Sequence, residues 1–319
     1  MFEYTKFQIT AIAKENNFKK ETLEKVLRLV DVLEFINSND NLSPYLALKG
    51  GTAINLTIFN LPRLSVDIDL DFSFDGSKEE MLDKRQQITN ILNRYMMINN
   101  YSPSKSSKNR FALDSFVYSY MNCFGNKDNL KIEINYMNRN HIYDISKNHI
   151  KLSFLNSINV NVLSKYELYG SKIKALIERC TVRDVYDVYY MLNAKLFNEN
   201  EYIKIKKCLI FYIAIGNTTN LSYEDIIKNF YLKIDSYAIN RIPQYLSSTL
   251  RINDTFTLKD AVIQVKNLVT DFTNFSTDEQ KFLQEFSKGN YIPELLFDDV
   301  EVLKNIKKHP MAIRKTTNK

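Results

Sequence analysis

The sequence predicts an α+β protein in which an N-terminal mixed sheet with flanking helices is followed by a helical C-terminal half. Over residues 1–163, amphipathic helical segments alternate with short apolar or alternating runs that are typical of strands. From residue 164 onward the periodic segments have helical spacing. We therefore expect an α/β domain over residues 1–163 and a helical domain over residues 164–319.

The N-terminal part begins with two helices. The second, from Lys20 to Asn37, places its apolar side chains largely on one face, which suits packing against a sheet. The apolar run Tyr45–Lys49 predicts a strand, and Ala53–Phe59 takes up helical spacing. Further on, Ser77 provides an N-terminal cap for a helix that we expect to extend from about Lys78 to Asn99.

A polar segment rich in turn-forming residues, Asn99–Asn109, follows this helix and is expected to form a loop. Lys105, Lys108 and Arg110 make its end basic, so both a solvated loop and a loop that contacts a substrate remain open. Three further strands are predicted over Phe111–Tyr120, Leu130–Met137 and Val160–Leu163, the first two joined by a turn over 125–129.

The C-terminal part starts with a capped helix. Ser164 is its N-cap, Glu167 completes a capping box, and the helix is expected to extend from Lys165 to about Arg179. The next helix begins at about Val182. The remaining helices are predicted over Tyr202–Ile215, Tyr223–Tyr237, Leu258–Phe272, Thr277–Phe286 and Pro293–Ile306.

Composition restricts the class of protein. Hydrophobic residues at 45% and charged residues at 25% are ordinary for a soluble globular chain. The net charge of +6 permits a nucleic-acid partner without requiring one. Three distant cysteines without a Cys-x-x-Cys pair argue against a disulfide framework or a zinc site. No signal peptide or membrane span is apparent, so we expect a cytoplasmic protein that does not contact a membrane.

The most unusual stretch is a run in which acids and apolar residues alternate. Asp67, Asp69 and Asp71 are separated by single apolar residues, so a strand would place all three carboxylates on one face. Like charges on one sheet face repel each other, and a divalent cation bound between them would turn that repulsion into binding. We therefore predict a metal site with Asp67 and Asp69 as ligands.

A glycine pair precedes this acidic strand. Gly50 and Gly51, with Thr52, separate the predicted strand from the helix that follows. Adjacent glycines allow a close approach of the backbone to a ligand, and the N-terminus of a helix presents N–H groups that suit phosphate oxygens. We expect these three residues to bind phosphate oxygens of a ligand, with a hydroxyl contact from Ser65, which shares a strand face with Asp67.

Two blocks of sequence together form a specific signature. The first is Gly50-Gly51-Thr52 followed by Arg63-x-Ser65-x-Asp67-x-Asp69. The second extends from Glu167-Leu168-Tyr169-Gly170-Ser171-Lys172-Ile173-Lys174-Ala175-Leu176 to Arg179 and Arg183-Asp184-Val185-Tyr186-Asp187. These blocks resemble the AbiEii/AbiGii family, nucleotidyltransferase-like toxins of bacterial abortive-infection (phage defence) and type IV toxin–antitoxin systems.

The resemblance implies an enzyme that uses a nucleoside triphosphate (NTP) and Mg²⁺ or Mn²⁺. It would transfer a nucleoside monophosphate to an acceptor, most often the 3′ end of transfer RNA, and an antitoxin encoded nearby would oppose it. Lys172 would neutralise the triphosphate, and Asp184 would belong to the same site. Roles are also implied for Arg179 and Asp187. Glu133 on a neighbouring strand is the candidate third carboxylate, although it can equally face solvent.

Other functions and other roles remain open on the sequence. The glycine pair and the acidic strand would also serve a metal-dependent phosphotransferase that acts like a kinase. A nucleotide- or RNA-binding protein without catalytic activity could retain the same fold. In the second block, Arg183 and Asp187 are four residues apart and can form an ordinary surface ion pair.

Overall fold

The structure is a computed structural model that describes residues 2–59, 61–150, 152, 154–155, 157–216, 222–239 and 242–317. Residue 1 of the predicted α/β domain and residues 318–319 of the predicted helical domain therefore lie outside the described residues. The described chain forms two compact units. Unit 1 comprises residues 1–140, 145–163 and 248–254, and unit 2 comprises residues 141–144, 164–247 and 255–319.

Unit 1 contains the sheet and four helices. The helices are α1 (Lys6–Glu15), α2 (Lys20–Ser38), α3 (Gly50–Ala53), which continues as a π-helical turn over Ile54–Ile58, and α4 (Lys78–Ile98). The strands are β1 (Leu46–Lys49), β2 (Asp67–Phe72), β3 (Ser102–Pro103), β4 (Lys108–Asn109), β5 (Leu113–Met121), β6 (Lys127–Asn135), β7 (Ser146–Ile150) and β8 (Ile158–Val162).

The sheet is mixed. Its strand order is β3-β5-β6-β2-β1-β8-β7, and β4 also pairs with β5. The central strand β2 runs antiparallel to β1 and parallel to β6. The predicted α+β class with a mixed sheet and flanking helices is confirmed.

The two faces of the sheet differ in burial. On β5 and β6 the even-numbered side chains other than Asp128 are buried, and among them are the apolar residues Phe116, Tyr118 and Ile132. The odd-numbered side chains are half-buried or exposed. The period-2 pattern therefore gives the sheet a buried face, which forms part of the core, and a polar face, which carries the acids of β2.

Unit 2 is helical among its described residues. Its helices are α5 (Lys165–Arg179), α6 (Val182–Asn193), α7 (Glu199–Gly216), α8 (Tyr223–Asp235), α9 (Gln244–Ser247), α10 (Leu258–Thr273), α11 (Thr277–Ser287), α12 (Val300–Lys307) and α13 (Pro310–Thr317). None of the helices in the described part of the chain combines the length and hydropathy of a membrane span.

Several predicted boundaries were wrong. The turn between β5 and β6 lies before Lys127, because the Asn122 side chain accepts from the backbone N–H groups of Phe124 and Asn126. The predicted loop over 99–109 contains the short strands β3 and β4, and strand β7 was not predicted. The helix predicted over 293–306 is a 3₁₀ turn followed by α12, whose N-terminus Asp299 caps.

Candidate active site

The acidic strand β2 carries its three carboxylates on the polar face of the sheet. Asp67 and Asp69 are half-buried there, whereas Ile68 and Leu70, which alternate with the three acids, are buried on the opposite face. The prediction that the three acids share one face is confirmed, because the strand keeps its period of two from Asp67 to Phe72.

Asp71 differs from the other two acids because it has a cationic partner. Its side chain is 2% exposed, and Oδ1 lies 2.5 Å from Nζ of Lys49. Lys49 is the last residue of β1 and pairs directly with Asp69 in the sheet. No role was predicted for Lys49 from the sequence, although this residue directly precedes the glycine pair. Within the described residues, Asp67 and Asp69 form no ion pair, in contrast to Asp71 on the same strand.

Glu133 lies directly beside Asp69. The two residues pair across the parallel strands β2 and β6, so their side chains lie on the same face. Glu133 Oε1 is 3.0 Å from Nζ of Lys131, and the Glu133 side chain is 25% exposed. Glu133 is thus the nearest carboxylate on the neighbouring strand β6 in the register with Asp69, and Lys131 provides a cation beside it.

The surroundings of Asp69 favour its neutral form. Burial is the main cause that raises the pKa of this carboxyl, and the negative charges of Asp67 and Glu133 raise it further. The positive charges of Lys49 and Lys131 oppose this effect only in part. A cation bound at Asp69 would stabilise its ionised form, so the electrostatics of this face fit a cation site.

The glycine pair follows β1 directly, and Gly50 begins α3. Gly50 has φ +70°, a left-handed conformation that other residues rarely adopt. An added Cβ at Gly50 would lie 2.5 Å from Oδ2 of Asp69. The absence of a side chain therefore lets the backbone at the start of α3 contact the Asp69 carboxylate closely.

Thr52 connects the glycine turn to strand β2 through hydrogen bonds. Its hydroxyl donates to the backbone carbonyl of Asp67 and lies 2.9 Å from Oγ of Ser65. The Thr52 side chain is fully buried. Thr52 and Ser65 thus position Asp67, whereas the backbone N–H groups of Gly51 and Thr52 belong to the first turn of α3, where no intrahelical partner exists.

The carboxylates of β2 can bind Mg²⁺ when phosphate oxygens and water complete its coordination. Among the described residues, no group of three or more His, Cys, Asp or Glu side chains is arranged to hold a metal ion. Mg²⁺ in nucleotide sites is usually bound through one or two carboxylates and completed by phosphate oxygens and water. Asp67 and Asp69 supply that minimum, and they are the residues that would bind the ion.

In unit 2, the second sequence block forms a buried charge network. Nζ of Lys172 lies 2.7 Å from Oδ2 of Asp187 and 3.4 Å from Oδ1 of Asp184. All three residues are buried. Helix α5 supplies the lysine and α6 supplies the two acids, which are three positions apart and therefore share a helix face.

Asp184 has the most partners in this network. Arg179 donates to it through Nε at 2.7 Å and Nη2 at 2.8 Å, and the Thr181 hydroxyl donates at 2.6 Å. Burial alone would raise the pKa of Asp184, but the hydrogen bonds from Arg179 and the charge of Lys172 lower it below its usual value. Thr181 was missed in the sequence, although a threonine just before a helix signals an N-cap.

The surface ion pair considered for Arg183 and Asp187 is wrong. Asp187 is buried and pairs with Lys172, whereas Nη2 of Arg183 donates to the backbone carbonyl of Tyr245 at 3.2 Å. The two residues are four apart along α6, but Asp187 is directed into unit 2, where Lys172 reaches it.

Other residues of the second block fix α5 within unit 2. The buried Glu167 accepts from the backbone N–H groups of Ile142 and Tyr143 and from the Tyr212 hydroxyl. The predicted capping box is therefore incomplete. The Glu167 N–H donates to the Ser164 side chain, but the Glu167 carboxylate does not accept from the backbone N–H of Ser164. The sequence spacing could not show that Glu167 has partners from other parts of unit 2.

Comparison with known proteins gives two findings. The family model described as "Nucleotidyl transferase AbiEii toxin, Type IV TA system" matches residues 31–272. The solved structure of MenT4, a nucleotidyltransferase toxin from Mycobacterium tuberculosis H37Rv, is similar with a TM-score of 0.59 and 14% identity, over 88% of this chain and 94% of that chain. This likeness shows a shared fold. No curated protein matches the sequence.

The family match includes both sequence blocks and both charged clusters described above, and it spans more than half of the 319 residues. The chain therefore belongs to the AbiEii family of nucleotidyltransferase toxins of type IV toxin–antitoxin systems.

Proposed function

We propose that this nucleotidyltransferase transfers a nucleoside monophosphate from an NTP to the 3′ end of transfer RNA in a Mg²⁺-dependent reaction, which blocks translation. The observation that carries the proposal is the pair Asp67 and Asp69, held on one face of β2 beside the glycine turn at Gly50. We further propose that the protein acts in the cytoplasm, where an antitoxin encoded nearby opposes it.

In this reaction an oxygen of the RNA 3′ end attacks the α-phosphorus, the bond from that phosphorus to the β-phosphate oxygen breaks, and pyrophosphate leaves. Asp67 and Asp69 would hold the Mg²⁺, which supplies positive charge at the phosphate oxygens when it is bound. The backbone N–H groups of Gly51 and Thr52 would donate to the distal phosphates. Glu133, opposite Asp69, is the carboxylate proposed to accept the proton of the attacking hydroxyl.

The charge network of unit 2 has a proposed role in the same reaction. Lys172 and Arg179 would supply positive charge for the triphosphate, with Asp184 and Asp187 holding the two cations in place. The Arg179 side chain is 60% exposed although it is bonded to Asp184, which supports its availability to an anionic substrate.

The direct test is incubation of the purified protein with Mg²⁺, transfer RNA and each NTP labelled at the α-phosphorus. We expect label on the RNA from at least one NTP, and no label with the Asp67→Ala variant. Asp83→Asn, on the exposed side of α4, is the matched control and should label RNA like the wild type.

The alternative activities give different results in the same assay. A kinase-like phosphotransferase would transfer label from the γ-phosphorus and none from the α-phosphorus. A protein without catalytic activity would transfer neither label, although it would bind the NTP or the RNA. Either result with the wild type would contradict the proposed function.

A further inference from the structure

The polar face of the sheet continues well past the proposed site. A row of directly paired residues crosses five strands in the order Lys49, Asp69, Glu133, Ser115 and Lys108. Directly paired residues on neighbouring strands place their side chains on the same face of a sheet. The row therefore leads from the acidic strand, across β6 and β5, to the edge strand β4.

This part of the face is accessible and has few acids. On β5 and β6 the odd-numbered positions are half-buried or exposed, and their one acid is Glu133, which is paired with Lys131. The other odd-numbered positions carry hydroxyl, amide, apolar and cationic side chains: Leu113, Ser115, Val117, Ser119, Met121, Lys127, Asn129, Lys131 and Asn135. Such a mixture suits a polyanion that also has flat apolar groups.

The edge of the face carries three cations. Lys105, Lys108 and Arg110 are exposed, and none of them forms an ion pair within the described residues. The hairpin that carries them is fixed to the sheet, because the N–H of Val117 donates to Oγ of Ser107 at 2.9 Å and Arg85 donates to the carbonyl of Arg110 at 2.7 Å. These cations therefore lie at an edge of the sheet whose position is fixed by hydrogen bonds.

The distance from the acids to this edge suits a short nucleic-acid strand. Lys108 is three strands away from Asp69, which corresponds to about 14 Å at the usual spacing between strands. Binding of a single strand generally combines cations that contact the phosphates with side chains that contact the bases. Along the row, Ser115 and the neighbouring Val117 offer a hydroxyl and an apolar surface between the acids and the cations.

We propose that this face, named here the β4–β6 face and comprising Lys105, Lys108, Arg110 and the odd-numbered side chains of β5 and β6, binds the single-stranded 3′ end of the RNA acceptor. The proposal rests on the proposed function, and it identifies the surface that places the RNA terminus beside Asp67 and Asp69. Lys105, Lys108 and Arg110 contact RNA phosphates, and Ser115 and Val117 contact the terminal nucleotides.

The test is a triple variant, Lys105→Gln, Lys108→Gln and Arg110→Gln, measured for binding of fluorescein-labelled transfer RNA over a series of salt concentrations. We expect affinity to fall by roughly tenfold or more. The slope of log K against log salt should decrease by about two, because each lost phosphate contact to a single strand removes about 0.7. The KM for RNA should rise by a similar factor, with the KM for NTP unchanged.

A second triple variant, Lys14→Gln, Lys259→Gln and Lys281→Gln, removes three exposed charges from α1, α10 and α11 and is the matched control. It should keep the wild-type slope and KM. Thermal unfolding of both triple variants should match the wild type, since all six side chains are exposed. The proposal is overturned if the first triple variant keeps the wild-type affinity and slope, or if both variants lose affinity equally.

The same measurements separate this proposal from the proposed function. RNA binding that depends on Lys105, Lys108 and Arg110, in a wild type that transfers no nucleotide, would support the β4–β6 face and contradict the proposed function. Nucleotide transfer to RNA with no effect of the three substitutions would support the proposed function and contradict the β4–β6 face.

Discussion

The two charged clusters of this chain use opposite electrostatic arrangements. In unit 1, Asp67, Asp69 and Glu133 bring like charges together, and burial with these neighbours raises the pKa of Asp69. In unit 2, Asp184 is inaccessible to solvent, yet its pKa is lowered because Arg179 donates hydrogen bonds to it and the charge of Lys172 lies nearby. The acids of unit 2 are neutralised by cations of the chain itself, whereas the repulsion between the acids of unit 1 would be offset by a bound cation. The comparison therefore supports the proposal that β2 binds the metal ion.

The largest effect that we expect comes from Asp69→Asn. Loss of a metal ligand should lower the rate of nucleotide transfer by at least roughly 10³-fold, since metal stabilisation of the transition state is of the order of several kcal/mol. Because the folded pKa is raised above the unfolded value, Asp69 opposes folding at every pH above the unfolded value, which includes neutral pH. The melting temperature of the variant should therefore equal or exceed that of the wild type. A variant that is inactive because it is unfolded would contradict this assignment.

Asp184→Asn is expected to lower the stability of the protein, in contrast to Asp69→Asn. This change leaves Lys172 and Arg179 with an incomplete set of partners, and breaking a buried ion pair lowers the free energy of unfolding by about 3 kcal/mol or more. Because the folded pKa is lowered, the wild-type contribution is present above the unfolded pKa and is lost as the pH falls through the folded value. Urea unfolding at neutral and acidic pH measures both effects. A melting temperature that rises, as for Asp69→Asn, would remove the contrast.

Gly50→Ala tests the contact between the glycine turn and Asp69. The left-handed backbone costs about 1–2 kcal/mol with a side chain, and the new Cβ would displace the Asp69 carboxylate. We expect both lower stability and a clear loss of transfer rate. Gly125 in the β5–β6 turn is the matched control, because its φ is +83° and its added Cβ would meet nothing within 4 Å. Gly125→Ala should lose similar stability and keep its rate, and equal rates for both variants would contradict the role of Gly50.

His309 shows a third way to bury an ionisable group. It is almost fully buried, neither ring nitrogen has a hydrogen-bond partner among the described residues, and burial lowers its pKa to about 3. Because the folded pKa is depressed, the contribution of neutral His309 to stability is fully present above the unfolded pKa of 6.5. It is lost as the pH falls from 6.5 toward the folded pKa of about 3. One such group accounts for about 2 kcal/mol of lost stability between pH 7 and pH 5. His309→Leu should show that much less pH dependence in urea unfolding, and an unchanged dependence would exclude His309 as its source.

The smallest effect is expected for Arg183→Ala. Arg183 contacts the Tyr245 carbonyl and does not neutralise Asp187, so its removal should change the free energy of unfolding by less than about 1 kcal/mol. Lys172→Met, which removes the observed partner of Asp187, should cost several times as much. Equal losses for the two variants, measured by urea unfolding, would restore Arg183 as a partner of Asp187.

Local signals in the sequence predicted much of the fold. The helical period predicted α2, α5 and the start of α6 to within one or two residues, because their apolar stripes and caps are encoded in neighbouring positions. The strict alternation at Asp67–Phe72 likewise determined which side chains share a face. Strand β7 was missed because its sequence, Ser146–Ile150, has no apolar alternation and is held as a strand by pairing with β8.

The sequence by itself determined that carboxylates would crowd on one strand face and that a glycine turn would precede them. Only the tertiary structure decided which charges are neutralised. Lys49 reaches Asp71, and Lys172 reaches Asp187. The first pair depends on the register of β1 against β2, and the second depends on the packing of α5 against α6. The period of two already places Lys131 and Glu133 on one face of β6, whereas the other two pairs join segments that are apart in the sequence, and the physical reason is that no local period encodes them.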